Sequence, residues 1–226
     1  MEKITNLNRL KKSKLVAVIR KPKQEQIFHI AEALIAGGVE ALEITVDTPG
    51  SFEIIACLKE KFGTRAIVGA GTVLDAETAK RAIEAGSDFI FSPIFNEEAI
   101  CLANRYGKIS IPGVMTPTEI VRAYQAGADL LKVFPTSILG PKYFKELRGP
   151  LGHIPMMPTG GVSLGNVAEF IRNGAVAVGV GSTLLNKQAI EEGRFDLLKE
   201  TAQKFIEEIR KAVVLEEKVQ NEDYKI

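Results

Sequence analysis

Along this chain one phrase recurs: an amphipathic helical stretch, a small-residue stop, then a short apolar run. Ala36-Gly37-Gly38-Val39-Glu40 precedes Ala41-Leu42-Glu43-Ile44-Thr45, and Ala85-Gly86-Ser87 precedes Asp88-Phe89-Ile90-Phe91-Ser92. Ala126-Gly127-Ala128 precedes Asp129-Leu130-Leu131-Lys132-Val133, and Asn173-Gly174-Ala175 precedes Val176-Ala177-Val178-Gly179-Val180. A glycine after the last helical turn accepts the left-handed conformation that closes a helix. The apolar run that follows suits a parallel strand covered by helices on its outer side.

Filling the gaps gives strand candidates at Val16–Arg20, Ala41–Thr45, Ala66–Gly69, Phe89–Ser92, Ile109–Pro112, Leu130–Phe134, Met156–Pro158 and Ala177–Val180. Helices are expected to start near Lys23, Pro49, Ala76, Asn96, Pro117, Pro141, Leu164 and Ala189. Asp75, Thr116 (followed by Pro117 and Glu119) and Ser163 supply helix-start signals. The alternation predicts an α/β fold, a closed (β/α)8 TIM barrel forming a single domain over 1–226. The charged tail from about residue 213 lies outside the repeat and reads as a fraying helical extension. An open doubly wound sheet is the alternative, but no Gly-x-Gly-x-x-Gly follows the first strand candidate.

The formal net charge of +1 creates no overall field that would recruit nucleic acid or an anionic membrane. Lys11, Lys12 and Lys14 read as a solvated face rather than a binding arm. No apolar run reaches the ~18 residues of a membrane span, and Met1 to Arg9 lacks the apolar centre of a signal peptide. The expected compartment is therefore the cytoplasm. Cys57 and Cys101 sit inside helical patterns and are expected as buried core thiols, not as a disulfide or metal pair.

In such barrels chemistry sits at the C-terminal ends of the strands. There the segment Asp129-Leu130-Leu131-Lys132-Val133-Phe134-Pro135 embeds one amine among apolar neighbours. A desolvated amine has a lowered pKa and attacks ketones, the basis of Schiff-base lysines; the alternative is a strand-end lysine that snorkels to solvent or pairs with a carboxylate. Glu43 also lies in an apolar strand, either as a salt-bridge partner for Lys132 or as a general acid/base beside it. Thr159-Gly160-Gly161-Val162 and Gly179-Val180-Gly181-Ser182 place small residues ahead of helices, where backbone N–H groups can bind phosphate. The histidines, His29 and His153, fall on a helix and in a loop, and no His/carboxylate or Cys/His set has the spacing of a metal or thiol centre.

These segments resemble the class I 2-keto-3-deoxy-6-phosphogluconate and 4-hydroxy-2-oxoglutarate aldolases. The phrases that carry the resemblance are Val16-Ala17-Val18-Ile19-Arg20, Leu42-Glu43-Ile44-Thr45, Gly69-Ala70-Gly71-Thr72-Val73 and Phe91-Ser92-Pro93. They continue with Pro112-Gly113-Val114-Met115-Thr116-Pro117-Thr118-Glu119, Leu131-Lys132-Val133-Phe134-Pro135, Pro158-Thr159-Gly160-Gly161-Val162 and Val178-Gly179-Val180-Gly181-Ser182.

The resemblance implies a Schiff base on Lys132, proton transfer by Glu43, and Thr72 and Pro93 lining the keto-acid site. It also implies phosphate binding at Gly160, Gly161 and Ser182, a homotrimer, a phosphorylated 2-keto acid as substrate, and no metal or other cofactor. Some members carry an arginine four residues after the glutamate; here Asp47 stands there, and Arg20 takes over the substrate carboxylate. Asp47 either repels an anionic group or hydrogen-bonds a hydroxyl. A barrel isomerase or synthase that binds phosphate without a Schiff base, of the thiamin-phosphate type, is one rival. A non-catalytic phospho-sugar sensor is another, and a 6-phosphogalactonate-type aldolase is a variant within the same family. The aldehyde partner and the C4 stereochemistry are not legible from these residues.

Overall fold

The computed structural model describes residues 2–223. Its elements run α1 (Glu2–Ser13), β1 (Leu15–Ile19), a 3-10 turn (Gln24–Gln26), α2 (Ile27–Ala36), β2 (Ala41–Thr45), α3 (Ser51–Phe62) and β3 (Ile67–Gly71). Then follow α4 (Ala76–Glu84), β4 (Phe89–Phe91), α5 (Glu97–Arg105), β5 (Ile109–Ile111), β6 (Gly113–Val114), α6 (Pro117–Gln125) and β7 (Leu131–Val133). The chain ends with α7 (Thr136–Leu151), β8 (Met156–Pro158), α8 (Val167–Arg172), β9 (Val178–Val180), α9 (Lys187–Glu191) and α10 (Phe195–Asp223).

The fold is mixed α/β, a curled, wholly parallel sheet wrapped by helices. Its hydrogen-bond ladders form two sheets, one ordered β5-β4-β3-β2-β1-β9 and the other β6-β7-β8, rather than the single eightfold ladder the repeat predicts. The break falls at Pro112, which has no N–H to give a ladder and separates β5 from β6. At the other seam an isolated parallel bridge pairs Thr159 with Gly179.

The repeated stops behave as the pattern predicts: Gly38, Gly86, Gly127 and Gly174 all take positive φ, between 86° and 97°. Asp75 caps α4 by accepting the Thr78 N–H, and Thr116 forms a capping box with Glu119 on α6. Ser163 does not cap a helix. α8 starts only at Val167, and the Ser163 N–H donates instead to Asn166 Oδ1 at 2.8 Å, closing a turn.

Two more helices depart from expectation. The piece expected from Pro141 is present, but a further turn from Thr136 precedes it, separated by Gly140 at φ 66° and ψ 178°. The last expected helix divides into α9 and the long α10, which packs on α2 and α8. The tail from residue 213 continues α10 to Asp223, and its residues 224–226 lie outside the described ones.

Cys57 and Cys101 are exposed free thiols, not core thiols. The helical period that turns Ile54, Ile55, Leu58 and Phe62 inward on α3 rotates Cys57 to solvent, and Ala99, Ile100 and Ala103 do the same to Cys101 on α5.

Inside the curl a separate apolar cluster joins Val16, Ala41, Ile67, Phe89, Ile109 and Ala177 with Leu10 of α1. Most of these are the first inward residues of their strands, so α1 closes the N-terminal end of the sheet. It is fastened there by Asn6, which donates to Asp88 Oδ1 at 3.1 Å; Lys59 grips both oxygens of the same carboxylate at 2.6 and 2.7 Å. The C-terminal end is left for chemistry.

Candidate active site

Lys132 is the central residue of β7 and is 7% exposed. Its Nζ lies 4.3 Å from the Phe91 ring centroid and 4.6 Å from that of Phe134. The amine therefore sits between two aromatic faces, with little water to stabilise its charge. Burial pushes its pKa down to about 8; the Glu43 charge works against that fall and the Arg20 charge adds to it.

Glu43 in β2 is fully buried, and neither carboxylate oxygen has a hydrogen-bond partner. The direct salt bridge to Lys132 that the sequence leaves open is therefore not formed. Burial pushes Glu43 up to about 7, opposed by the Lys132 and Arg20 cations and reinforced by Asp47. A buried carboxylate without partners is costly, and such groups cluster where proton transfer is needed. The charge of each group acts on the other's titration, so the two titrate together rather than independently.

The glycines of Gly69-Ala70-Gly71-Thr72 have steric reasons. A Cβ at Gly71 would overlap the Glu43 carboxylate, and one at Gly69 would overlap the Phe89 ring. Thr72, directly after β3, has φ 61°, a left-handed conformation that is an outlier for a β-branched residue.

Arg20 follows β1 and is tied at both ends of its guanidinium. Nη1 donates to Asp47 Oδ2 at 3.0 Å and Nη2 to Thr72 Oγ1 at 3.0 Å. Burial works to raise the Asp47 carboxyl, but the Thr45 hydroxyl and the Arg20 and Lys21 cations outweigh it and hold it below its ordinary value. Sequence reasoning placed Arg20 and Thr72 separately and missed Asp47 as the partner of Arg20. It also missed Phe91, although the alternation of Phe89 and Phe91 along an apolar strand marks both as inward.

Pro93 follows β4, half-buried, with its carbonyl packed where a Cβ on Gly113 would lie. Gly160 and Gly161 have φ 84° and 83°. The Thr136 hydroxyl reaches the Thr159 and Gly160 carbonyls at 3.1 and 2.7 Å and so fastens that turn. Neither glycine turn runs straight into a helix, since α8 starts at Val167 and α9 at Lys187. A cavity of about 680 Å³ brings Arg20 and the exposed Ser182 together, with Val18, Lys21, Lys23 and Lys187 also in its wall. Gly160, Gly161, Pro93 and Lys132 do not line it.

His29 is exposed and stacks on Phe195, while His153 meets Tyr124 edge-on. Among the described residues no group of His, Cys, Asp and Glu could hold a metal ion, and no helix is long and apolar enough to cross a membrane.

Residues 7–201 match the family profile of the KDPG and KHG aldolases. The chain is 34% identical over 193 residues to the 2-dehydro-3-deoxy-phosphogluconate aldolase of Treponema pallidum, covering 85% of this chain and 91% of that one. It is 35% identical over 171 residues to the 2-dehydro-3-deoxy-6-phosphogalactonate aldolase of Escherichia coli, covering 75% and 83%. Among solved structures it resembles a KDPG aldolase from Legionella pneumophila holding pyruvate as a covalent carbinolamine intermediate. That match has TM-score 0.78 and 28% identity over 84% of this chain and 92% of the other.

Proposed function

The chain belongs to the KDPG and KHG aldolase family, and from that premise we propose the following reaction and division of labour. The protein is a class I aldolase, a lyase that uses Lys132 as its Schiff-base nucleophile. It reversibly cleaves 2-keto-3-deoxy-6-phosphogluconate to pyruvate and glyceraldehyde 3-phosphate, and 4-hydroxy-2-oxoglutarate to pyruvate and glyoxylate. One observation carries this reading: a buried amine, lowered to about 8, shares the sheet interior with a buried carboxylate that has no hydrogen-bond partner.

The neutral Lys132 amine adds to the C2 ketone, and loss of water from the carbinolamine gives an iminium. That cation accepts the electron pair of the C3–C4 bond as it breaks. Glu43, through a water, takes the proton of the C4 hydroxyl, and the aldehyde leaves. Glu43 then returns a proton to C3 of the enamine, and hydrolysis releases pyruvate and the free amine. A carboxyl raised to about 7 can both accept and return that proton near neutral pH.

In the same reading Arg20 and Thr72 hold the substrate carboxylate, and Pro93 lines the keto-acid site. Gly160, Gly161 and Ser182 receive the phosphate, and the reaction needs no metal or other cofactor. The relative that acts on the phosphogalactonate epimer keeps that C4 stereochemistry as a second reading. We also read the two sheets as one closed (β/α)8 barrel in a single domain over 1–226. The Thr159–Gly179 bridge and the Val176 N–H to Met156 carbonyl bond support closure at that seam. A homotrimer agrees with the exposed apolar side chains Leu74, Ile94 and Met115 on the loops after β3, β4 and β6 and Ile138 in the first turn of α7.

Pyruvate and sodium borohydride test the reading directly. One pyruvate-derived adduct is expected on the peptide containing Lys132, and Lys132→Ala should lose both the adduct and aldol cleavage. Chelator treatment should leave the rate unchanged. An adduct on another lysine, or an active Lys132→Ala, overturns the mechanism and favours a phosphate-binding barrel without a Schiff base. Rates on both C4 epimers and on 4-hydroxy-2-oxoglutarate identify the preferred substrate.

A further inference from the structure

We infer that Asp47 is a positioning residue: it aims the Arg20 guanidinium at the carboxylate of the bound 2-keto acid, so that an acidic side chain assists anion binding. The inference rests on the reading of Arg20 as the carboxylate anchor.

Arg20 lies past the end of β1, and its side chain is 54% exposed. Such a side chain samples many rotamers unless something holds it. Asp47 Oδ2 takes Nη1 at 3.0 Å from one side, and Thr72 Oγ1 takes Nη2 at 3.0 Å from the other. A guanidinium has five N–H donors. These two contacts leave three free, enough for the bidentate grip on a carboxylate that makes Arg–carboxylate pairs strong.

Asp47 is itself fixed by a clasp between the loops after β1 and β2. The Lys21 backbone N–H donates to Thr48 Oγ1 at 3.0 Å, and Thr48 Oγ1 shares a hydrogen bond with Thr45 Oγ1 at 3.1 Å. Lys21 takes φ 48° there, which turns its side chain back to place Nζ 3.4 Å from Asp47 Oδ2. Arg20 and Lys21 together outweigh the single negative charge, so the corner remains net cationic towards an incoming anion. The same cations and the Thr45 hydroxyl keep Asp47 ionised through the neutral range.

Removing Asp47 has two opposed consequences: the guanidinium loses its hold, and a negative charge leaves the site. Asn in its place separates them, because an amide oxygen still accepts from Nη1 without the charge. The experiment measures the pyruvate concentration that gives half-maximal borohydride trapping on Lys132. Wild type, Asp47→Ala, Asp47→Asn, Arg20→Ala and the Arg20→Ala/Asp47→Ala double variant are compared.

Asp47→Ala is expected to raise that concentration about 10-fold with the maximal trapping rate unchanged, and Asp47→Asn to stay within about 3-fold of wild type. Arg20→Ala should raise it at least as far as Asp47→Ala, with no further loss in the double variant. If both Asp47 variants bind pyruvate as well as or better than wild type while Arg20→Ala is impaired, Asp47 does not position Arg20 and this inference falls alone. An equal Asp47→Ala effect with or without Arg20 has the same consequence. If Arg20→Ala itself binds pyruvate normally, the carboxylate assignment falls and takes this inference with it.

Discussion

Glu43 and Gly71 share one volume, since the Glu43 carboxylate occupies the space a Cβ on Gly71 would need. β2 and β3 pair with Glu43 opposite Gly69 and Thr45 opposite Gly71, so the carboxylate leans towards the C-terminal end of its neighbour. With no hydrogen-bond partner on either oxygen, its position is set by packing.

Gly71→Ala should therefore disable proton transfer without touching the nucleophile. Overpacking of this kind costs about 1–3 kcal/mol, which leaves a folded protein but displaces the carboxylate. The expected result is a pyruvate–borohydride adduct still formed on Lys132, with exchange of pyruvate methyl protons slowed by about 10²-fold or more. Exchange at the wild-type rate in folded Gly71→Ala would show that Glu43 does not move the proton.

The pH dependence of Schiff-base formation follows from the same pair. In the proposed mechanism Lys132 attacks as the free amine, and burial lowers it to about 8, against about 10.4 for an unperturbed lysine. The acid limb of pyruvate trapping is expected near pH 8. The Glu43 charge holds Lys132 up, so Glu43→Gln should move that limb to lower pH. A limb that stays in place would mean that the two groups are not coupled through space.

The cost of burying Glu43 also appears as stability. A group whose folded pKa is raised contributes stability below its unfolded pKa and loses it as pH rises through the folded value. For Glu43 that window runs from about 4.3 when unfolded to about 7 when folded. In a Lys132→Met background, which removes the lost-counter-ion problem, Glu43→Gln should stabilise little at pH 4. Its gain should grow by at least about 3 kcal/mol by pH 8, because loss of the Lys132 cation raises the Glu43 carboxyl further. Thermal melts of the single and double variants across that range check this, and a pH-independent difference would contradict it.

Much of this site was legible because burial and charge conflict in the one-dimensional pattern. Lys132 and Glu43 stand out as charges inside apolar runs, and both prove buried. What the pattern hides is lateral pairing. Asp47 stands out in the sequence only as a departure from the family pattern, and nothing ties it to Arg20 until β1 and β2 are neighbours. The reason for Gly71 lies in an adjacent strand, and the reason for Gly161 lies in the first turn of α7. The α1 helix was missed because it is largely polar. Its one fully buried leucine, Leu10, packs into the sheet interior and breaks no local rule. The cysteines were misplaced by reading helical neighbours as buried without tracking which face each residue occupies.

Thr72 carries strain that has a use. A β-branched residue in the left-handed region costs about 1–3 kcal/mol, and here its hydroxyl holds Arg20 Nη2. Thr72→Gly relieves the backbone and removes the hydroxyl. The expected outcome is a melting temperature at or above wild type, with pyruvate binding weakened several-fold. Unchanged pyruvate binding would make Thr72 a turn residue with no part in holding the carboxylate.

The phosphate end is best tested at Ser182, not at Gly161. A Cβ on Gly161 would lie 2.6 Å from Ser137 Cα and 2.7 Å from its Cβ, and φ there is 83°. Any substitution at Gly161 thus disturbs the first turn of α7 and harms every substrate through Phe134 and Lys132 nearby in the chain. Ser182 is exposed, and it lies in the wall of the cavity that also holds Arg20, Lys21, Lys23 and Lys187. Ser182→Asp places a negative charge where the phosphate is proposed to sit and disturbs no packed neighbour. Like charges close together oppose binding. Cleavage of 2-keto-3-deoxy-6-phosphogluconate should fall by about 30-fold or more in kcat/KM, a little over 2 kcal/mol. Cleavage of 4-hydroxy-2-oxoglutarate, which has no phosphate, should stay within about 3-fold. The ratio between the two substrates is decisive, because a folding or general active-site defect lowers both together. Equal losses would remove Ser182 from the phosphate site.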